Sequence, residues 1–178
     1  SSSGNSQTQS KTFIVPDKDG ASVQFYDAAS GGDTYPNRVI FGAATQLDQP
    51  QSVAISEAYS ELYVCDTGAN AVFAYKLEDV RAIDDLGGVG ANIEPRDVIK
   101  GASTQISNPV RCRVSGTELF VLDTNRILVF DLSSLSRGAY NNDMNIAPTR
   151  IYLGGILSPL LNAADFVIDN NLIYVTAG

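Results

Sequence analysis

The chain has 178 residues, of which 44% are hydrophobic, and its formal net charge is −8. This acidic balance argues against a nucleic-acid or anionic-membrane surface, because both attract basic patches. The sequence contains no histidine, so the most frequent metal ligand and the most frequent general base are both absent.

Residues 1–10 read SSSGNSQTQS, a polar and uncharged segment of low complexity. This composition predicts a flexible tether. Such a segment is typical of the region that follows the processed cysteine of a bacterial lipoprotein, or of the start of a secreted domain; a cloning remnant is the alternative. The segment therefore favours an extracellular or periplasmic location, with a lipid anchor as one option.

After the tether, one pattern repeats: an apolar strand ending in Asp, a short polar turn, and a second strand ending in an aromatic residue. The copies begin at Phe13, Leu62 and Leu119, and a fourth begins at Ile173. A long repeat of this all-β kind predicts β-propeller blades of four antiparallel strands.

The Asp that ends each first strand could belong to a site or to a turn. Asp17-Lys18-Asp19-Gly20 resembles part of a calcium loop, but the further acidic ligands that such a loop requires are missing. Asp66 and Asp123 occupy the equivalent turns of the next copies. Because tight turns favour Asp, Asn and Gly, we expect these carboxylates to accept backbone N–H bonds.

Two further elements complete the predicted blade. A strand framed by Pro and Gly recurs at Pro36–Gly42, Pro95–Gly101 and Pro148–Gly154, and a strand with period-2 alternation follows each connection. These repeats divide the chain after the tether into a partial blade at 11–50, full blades at 51–109 and 110–162, and a partial blade at 163–178.

The blade sequence resembles the NHL-type propeller repeat. The resemblance rests on Leu62-Tyr63-Val64-Cys65-Asp66, on the turn Thr67–Asn70 and on the strand Val72–Tyr75. It covers most of the chain from about Lys11 onward, and the blade from Pro109 matches with a shorter turn. The resemblance implies membership of a propeller with six or seven blades.

Counting the strands gives thirteen, in an incomplete ring of a little over three blades. Propellers close with four to eight blades, and an open end would expose the apolar strand Leu172–Thr176. Two explanations stay open. The chain is part of a longer propeller, which we favour, or two copies close a six-bladed ring head to tail.

The candidate ligand residues lie on two innermost strands. Arg111 and Arg113 alternate with apolar residues, and Asp165 occupies the position of Arg111 in the next blade. Arginine suits carboxylate or phosphate ligands, so an anion in the central channel is one reading. A structural salt bridge across the channel wall is the more economical one.

Cys65 and Cys112 fall at core-facing positions of two predicted strands. We expect free buried thiols, since cysteine often behaves as a small hydrophobic residue. A disulfide requires neighbouring blades to bring the two residues close together. The sequence contains no Cys-x-x-Cys spacing, so neither a zinc site nor a redox site is expected, and no cofactor is predicted.

The sequence favours a non-catalytic binding or scaffold module whose contacts to a protein partner or ligand lie in loops at the blade ends. The long insertions Arg81–Glu94 and Ser136–Ala147 are the best candidates for these contacts. The alternative is an enzyme, because some related propellers are lyases or lactonases with a central metal. Those sites use histidine, which this chain lacks.

Overall fold

The computed structural model describes residues 11–29, 32–84, 90–154 and 159–177. These residues form a series of antiparallel sheets, which we call blades 1 to 4 in chain order. Blade 1 contains β1 (Thr12–Asp17), β2 (Ser22–Asp27) and β3 (Arg38–Ile40). The predicted tether at 1–10 lies outside the described residues.

Blade 2 has four antiparallel strands and a single helical turn after its third strand. Its elements are β4 (Pro50–Ser56), β5 (Glu61–Asp66), β6 (Ala71–Lys76), α1 (Leu77–Arg81) and β7 (Asp97–Ile99). A 3₁₀ turn at Ala43–Thr45 leads into this blade, and an equivalent turn at Ala102–Thr104 leads into the next.

Blade 3 repeats this plan with a 3₁₀ turn at Leu132–Ser134 in place of the helix. Its antiparallel strands are β8 (Pro109–Ser115), β9 (Glu118–Asp123), β10 (Arg126–Asp131) and, after the two-residue strand β11 (Asn142–Asp143), β12 (Arg150–Leu153). Blade 4 contains β13 (Ala163–Asp169) and β14 (Leu172–Ala177), preceded by a 3₁₀ turn at Pro159–Asn162.

The order of strands within the sheets explains why these segments form strands. In blade 2 the order is β7-β6-β5-β4, and the central strand β5 is buried along its whole length. Its residues alternate between two neighbours, because successive side chains point to opposite faces of a sheet. Leu62 and Val64 pack toward blade 1, whereas Tyr63 and Cys65 pack toward blade 3.

Each seam between blades is therefore a separate hydrophobic core. The seam of blades 2 and 3 is filled mainly by side chains of the central strands and by the 3₁₀ turn, including Tyr63, Leu119, Phe130 and Leu132, all fully buried. Clusters of the same kind join blades 1 and 2 and blades 3 and 4. The thirteen strands predicted from the repeat are all present, and β11 was not predicted.

The unpredicted strand β11 belongs to the insertion of blade 3 but pairs with blade 2. Asn142 and Asp143 lie parallel to Asp97 and Val98 of β7. The insertion of blade 2 pairs with blade 1 in the same way, since Ala91 forms a parallel bridge with Ile40 of β3. Both insertions thus reach back to the outer strand of the preceding blade.

Candidate functional site

The candidate residues Arg111, Arg113 and Asp165 lie together at the seam of blades 3 and 4. Nη2 of Arg113 donates to both carboxylate oxygens of Asp165 at 3.1 and 3.3 Å, and Nε donates to the carbonyl of Phe166 at 3.3 Å. Arg111 is held more loosely: its Nε lies 3.7 Å from Oδ1 of Asp165, and Nη1 donates to the carbonyl of Val110 at 2.8 Å.

This geometry contains the salt bridge that the sequence suggested. Both arginine side chains are 35% exposed and the Asp165 side chain is 40% exposed, so the pair is solvated. The single carboxylate offsets one guanidinium and leaves one positive charge, on the more loosely held Arg111. An anionic ligand at this place stays a prediction.

The repeated aspartates bind turns of the backbone. Asp66 is fully buried and accepts N–H bonds from Asp48 at 2.8 Å, Gln49 at 2.9 Å and Ala69 at 2.9 Å. Each of these bonds fixes a turn that enters or leaves a strand of blade 2. Hydrogen bonds of this kind compensate the cost of burying a polar side chain.

Asp123 plays the same part in blade 3, where it accepts bonds from the backbone of Ser107 and Asn108. It also accepts from Nε and Nη2 of Arg126 at 3.1 and 2.9 Å. In blade 1, Asp17 accepts from the backbone N–H of Gly20 at 3.1 Å. The expectation that these carboxylates accept backbone bonds agrees with this geometry, and within the described ranges no group of three or more acidic or cysteine residues could hold a metal ion.

Cys65 and Cys112 are both free and buried, at the seam of blades 2 and 3. The thiol of Cys112 donates to the carbonyl of Ser52 at 3.5 Å, and its backbone N–H donates to Oγ of the same serine at 3.2 Å. Burial, and then the adjacent thiol of Cys112, raise the pKa of Cys65. Both cysteines belong to one buried cluster, so neighbouring blades bring them to the same seam, which the sequence left open.

A buried ionic cluster, which sequence reasoning missed, also lies at this seam. Glu61 has no exposed surface, and it accepts from Nη2 of Arg96 at 2.6 Å and from Nη2 of Arg137 at 3.3 Å. The hydroxyl of Tyr63 donates to Oε2 of the same carboxylate. Burial, and next the hydrogen bond to Glu61, raise the pKa of Tyr63.

The insertion of blade 3 carries Arg137 into this cluster of blade 2. The Arg137 guanidinium lies 4.0 Å from the ring centroid of Tyr59, in a cation–π contact. Its backbone N–H donates to the carboxylate of Asp97 at 3.3 Å, and Nδ2 of Asn142 donates to the same group at 3.2 Å. Burial raises the pKa of Asp97 although these bonds lower it.

A second contact of the insertions repeats at two seams. Oδ1 of Asn92 accepts the backbone N–H of Ala44 at 2.7 Å, and Oδ1 of Asn145 accepts that of Ser103 at 2.9 Å. Each asparagine thus binds the 3₁₀ turn that follows the outer strand of the preceding blade. The signal is visible in the sequence, as Asn-Ile-x-Pro at 92–95 and again at 145–148.

These contacts change the interpretation of the insertions. The segments Arg81–Glu94 and Ser136–Ala147 were the best candidates for partner contact, yet Asn92, Arg137 and Asn145 bind the preceding blade. Part of each insertion is therefore used to hold neighbouring blades together. Among the described residues there is no helix long and apolar enough to cross a membrane.

No protein-family model matches the chain, and no curated protein matches it. Among solved structures, the chain is similar to Sqt1 from Saccharomyces cerevisiae, with a TM-score of 0.52 and 9% identity over 89% of this chain and 36% of that one. The chain is also similar to a protein of Bacteroides uniformis whose assignment as a 6-phosphogluconolactonase is provisional. The TM-score is 0.53 and the identity 11%, over 96% of this chain and 48% of that one.

Hydrazine synthase from Kuenenia stuttgartiensis gives a TM-score of 0.50 and 18% identity over 77% of this chain and 34% of that one. The chain thus spans a third to a half of the length of these structures. At such identities the likeness concerns the fold alone. Propeller-type folds are among these neighbours, and the predicted all-β fold of an incomplete propeller is confirmed.

Proposed function

We propose that the chain is a non-catalytic scaffold and binding module, forming part of an exported, NHL-like propeller. Further blades cover the two end faces of this part, and loops at the blade ends contact a protein partner or ligand. The observation that carries the proposal is the exposure of apolar side chains at the positions that form the seams elsewhere in the molecule.

The end face of blade 4 supports this proposal most directly. Tyr174 on β14 corresponds in the repeat to Tyr63 and Phe120, which pack against the following blade. Tyr63 and Phe120 are 0% and 5% exposed, whereas Tyr174 is 51% exposed. Its cross-strand neighbour Val167 is also half exposed. The face of blade 4 therefore has the composition of a seam without a blade against it.

The end face of blade 1 is the counterpart. Phe13 and Val15 on β1 correspond to Leu62 and Val64, which are fully buried against the preceding blade. Here the two side chains are 62% and 44% exposed. Blade 1 thus exposes the face that elsewhere packs against a preceding blade, and blade 4 exposes the face that elsewhere packs against a following blade. Apolar patches of this kind mark interaction surfaces.

The mass of the purified protein in solution, measured by light scattering across a range of concentrations, tests the proposal. Wild type that dimerises, together with a Tyr174→Glu variant that stays monomeric, supports closure by a second copy. If wild type is monomeric, and the Tyr174→Glu variant aggregates less and binds less of a dye that detects exposed apolar surface, the result supports blades from a longer protein. Monomeric wild type that is unaffected by both Tyr174→Glu and Phe13→Glu contradicts covered end faces.

The non-catalytic part of the proposal has its own test. Metal analysis of the purified protein is expected to give no stoichiometric cation, because the carboxylates at the seams are engaged by N–H groups and arginines. A cation bound at one per chain would overturn this part and favour the alternative, a lyase- or lactonase-like enzyme with a central metal.

Export is proposed from the composition of residues 1–10 alone. Fractionation of cells that express the gene with its native upstream sequence tests it, with palmitate labelling as the probe for a lipid anchor. Protein found in the periplasm or medium, with or without the label, supports export. Protein confined to the cytoplasm contradicts it.

A further inference from the structure

Two outer strands of this molecule accept an added strand from the following blade. On β3, the N–H of Ala91 donates to the carbonyl of Val39 at 2.7 Å, and the N–H of Phe41 donates to the carbonyl of Ala91 at 3.1 Å. On β7, the N–H of Met144 donates to the carbonyl of Val98 at 2.8 Å. The added strand is parallel in both places.

The two added segments share a chemical pattern. Each places a small or apolar residue on the outer strand, then Asn and Ile, and then Pro after one residue, as in Ala91–Pro95 and Met144–Pro148. Met144 is buried in the seam core, and Ile93 and Ile146 pack partly against the seam cores. The outer strand thus supplies backbone groups, and the segment supplies apolar cover.

The outer strand of blade 3 is the third such strand, and β12 is the edge of its sheet. Ile151 corresponds to Val39 and Val98, and its side chain is 36% exposed where theirs are 7% and 5%. Tyr152 corresponds to Ile40 and Ile99; it is 39% exposed, whereas both isoleucines have no exposed surface. Among the described residues, the same strand position is therefore covered twice and open once.

A cavity of about 310 Å³ adjoins this open strand. It is lined by Tyr152 and Ile127 of blade 3 and by Leu172, Ile173 and Val175 of β14. At the seam of blades 2 and 3, the side chains of the insertion and of the preceding 3₁₀ turn lie in the core. The lining of the cavity is mainly apolar, which matches the apolar residues that the two known segments carry.

We propose that β12 is a docking edge for an extended peptide segment with the pattern apolar-Asn-Ile-x-Pro, bound parallel to the strand. By the register of both occupied strands, the segment donates an N–H to the carbonyl of Ile151, and by the register at β3 it accepts from the N–H of Leu153. Its apolar residues cover Tyr152 and the rim of the cavity. In the two occupied strands this segment is the insertion of the following blade, so the proposal rests on the proposed further blades, whereas its test with an isolated peptide does not.

A synthetic peptide of residues 141–148 of this chain is a direct probe. Titrated up to about 2 mM into ¹⁵N-labelled protein, it is expected to shift the amide resonances of Ile151, Tyr152 and Leu153 in a saturable way. A peptide in which Met144 is replaced by Pro lacks the N–H that donates to the outer strand. It is expected to bind at least tenfold more weakly.

The matched pair Leu153→Pro and Leu153→Ala tests the protein side. Proline removes the edge N–H and alanine retains it, so the first variant is expected to lose the shifts and the second to keep them within about threefold affinity. The peptide variant keeps the test valid if Leu153→Pro fails to fold. No saturable shift, shifts confined to other blades, or equal binding of the two peptides would overturn the proposal.

Discussion

Blades 2 and 3 each carry an ion pair between the first residue of the second strand and an arginine at the start of the outer strand. The pair is buried in blade 2 and exposed to solvent in blade 3. Glu61 and Arg96 are 0% and 13% exposed, because Arg137 from the next blade lies over them. Glu118 and Arg150 pair at 2.7 Å with 30% and 48% of their side chains exposed. The same contact is thus part of a core in one blade and a surface pair in the other.

The difference shows that a blade of this protein is not a complete unit. The burial of its polar groups depends on an insertion that the next blade supplies. Where that insertion binds, the charges are enclosed and hydrogen-bonded. In blade 3, where no described residue takes this place, the hydrogen bond to Glu118 still raises the pKa of Arg150, but water reaches the pair.

The largest effect is expected from a matched pair of variants at the two glutamates. Glu61→Gln leaves Arg96 and Arg137 without their carboxylate, and removing one partner of a buried pair costs about 3 kcal/mol or more. Glu118→Gln is expected to cost less than about 1 kcal/mol, because the pair is solvated. Urea denaturation of both variants measures the difference. Equal losses would show that the two pairs do not differ as their burial indicates.

A second pair of variants acts on the turn that receives Asn145. Gly101 has φ of +118°, and a Cβ there would lie 2.5 Å from Oδ1 of Asn145. Gly101→Ala is therefore expected to cost about 2 kcal/mol. Gly116 also has a positive φ, of +58°, but nothing lies within 4 Å of its Cβ position.

Gly116→Ala is the control, with an expected cost of about 1 kcal/mol from the backbone alone. Thermal denaturation gives both values. If the control lost as much as Gly101→Ala, the close approach of Asn145 would not contribute.

A smaller effect is expected at Asn145 itself. Asn145→Ala removes the acceptor of the Ser103 N–H bond at an exposed position, and a single hydrogen bond of this kind contributes about 1 kcal/mol. Asn145→Asp retains an acceptor oxygen and is expected to lose less than the alanine variant. Denaturation midpoints of the two variants decide the order, and the reverse order would argue against this bond.

The smallest effect is a dependence on pH at Asp97. Burial raises its pKa in the folded state, so ionising this carboxyl group costs more free energy in the folded protein than in the unfolded chain. Asp97→Asn removes this cost at neutral pH. Below the pKa that Asp97 has in the unfolded chain the cost is absent in wild type as well, because the carboxyl group is neutral in both states. The stability of the variant relative to wild type should therefore rise as the pH rises from about 3 to 7.

Denaturation at several pH values measures this trend. A relative stability of Asp97→Asn that is constant with pH, or that falls, would contradict the raised pKa.

The local pattern of the sequence was enough to predict the strands. Apolar alternation, the terminal Asp and the Pro and Gly residues are properties of neighbouring positions, and they predicted the hairpins of blades 2 and 3. Arg111, Arg113 and Asp165 were placed together because they occupy related positions in the repeat.

The contacts between blades could not be predicted from local sequence patterns. Arg137 and Glu61 are 76 positions apart, and nothing near either residue indicates the other. Outer strands are usually solvated, yet the Arg96 side chain, next to the outer strand β7, is 13% exposed. The parallel strand β11 has two residues, too few for a periodic pattern. Only the repeated Asn-Ile-x-Pro could have indicated it.

The asparagine contacts also couple the local motions of one blade to its neighbour. The amides of Ala44 and Ser103 lie in exposed turns, which would ordinarily exchange hydrogen rapidly with solvent. Here each amide is protected by a side chain from the blade that follows it. The exchange of these two amides in the native state is therefore expected to be slower than that of other exposed turn amides.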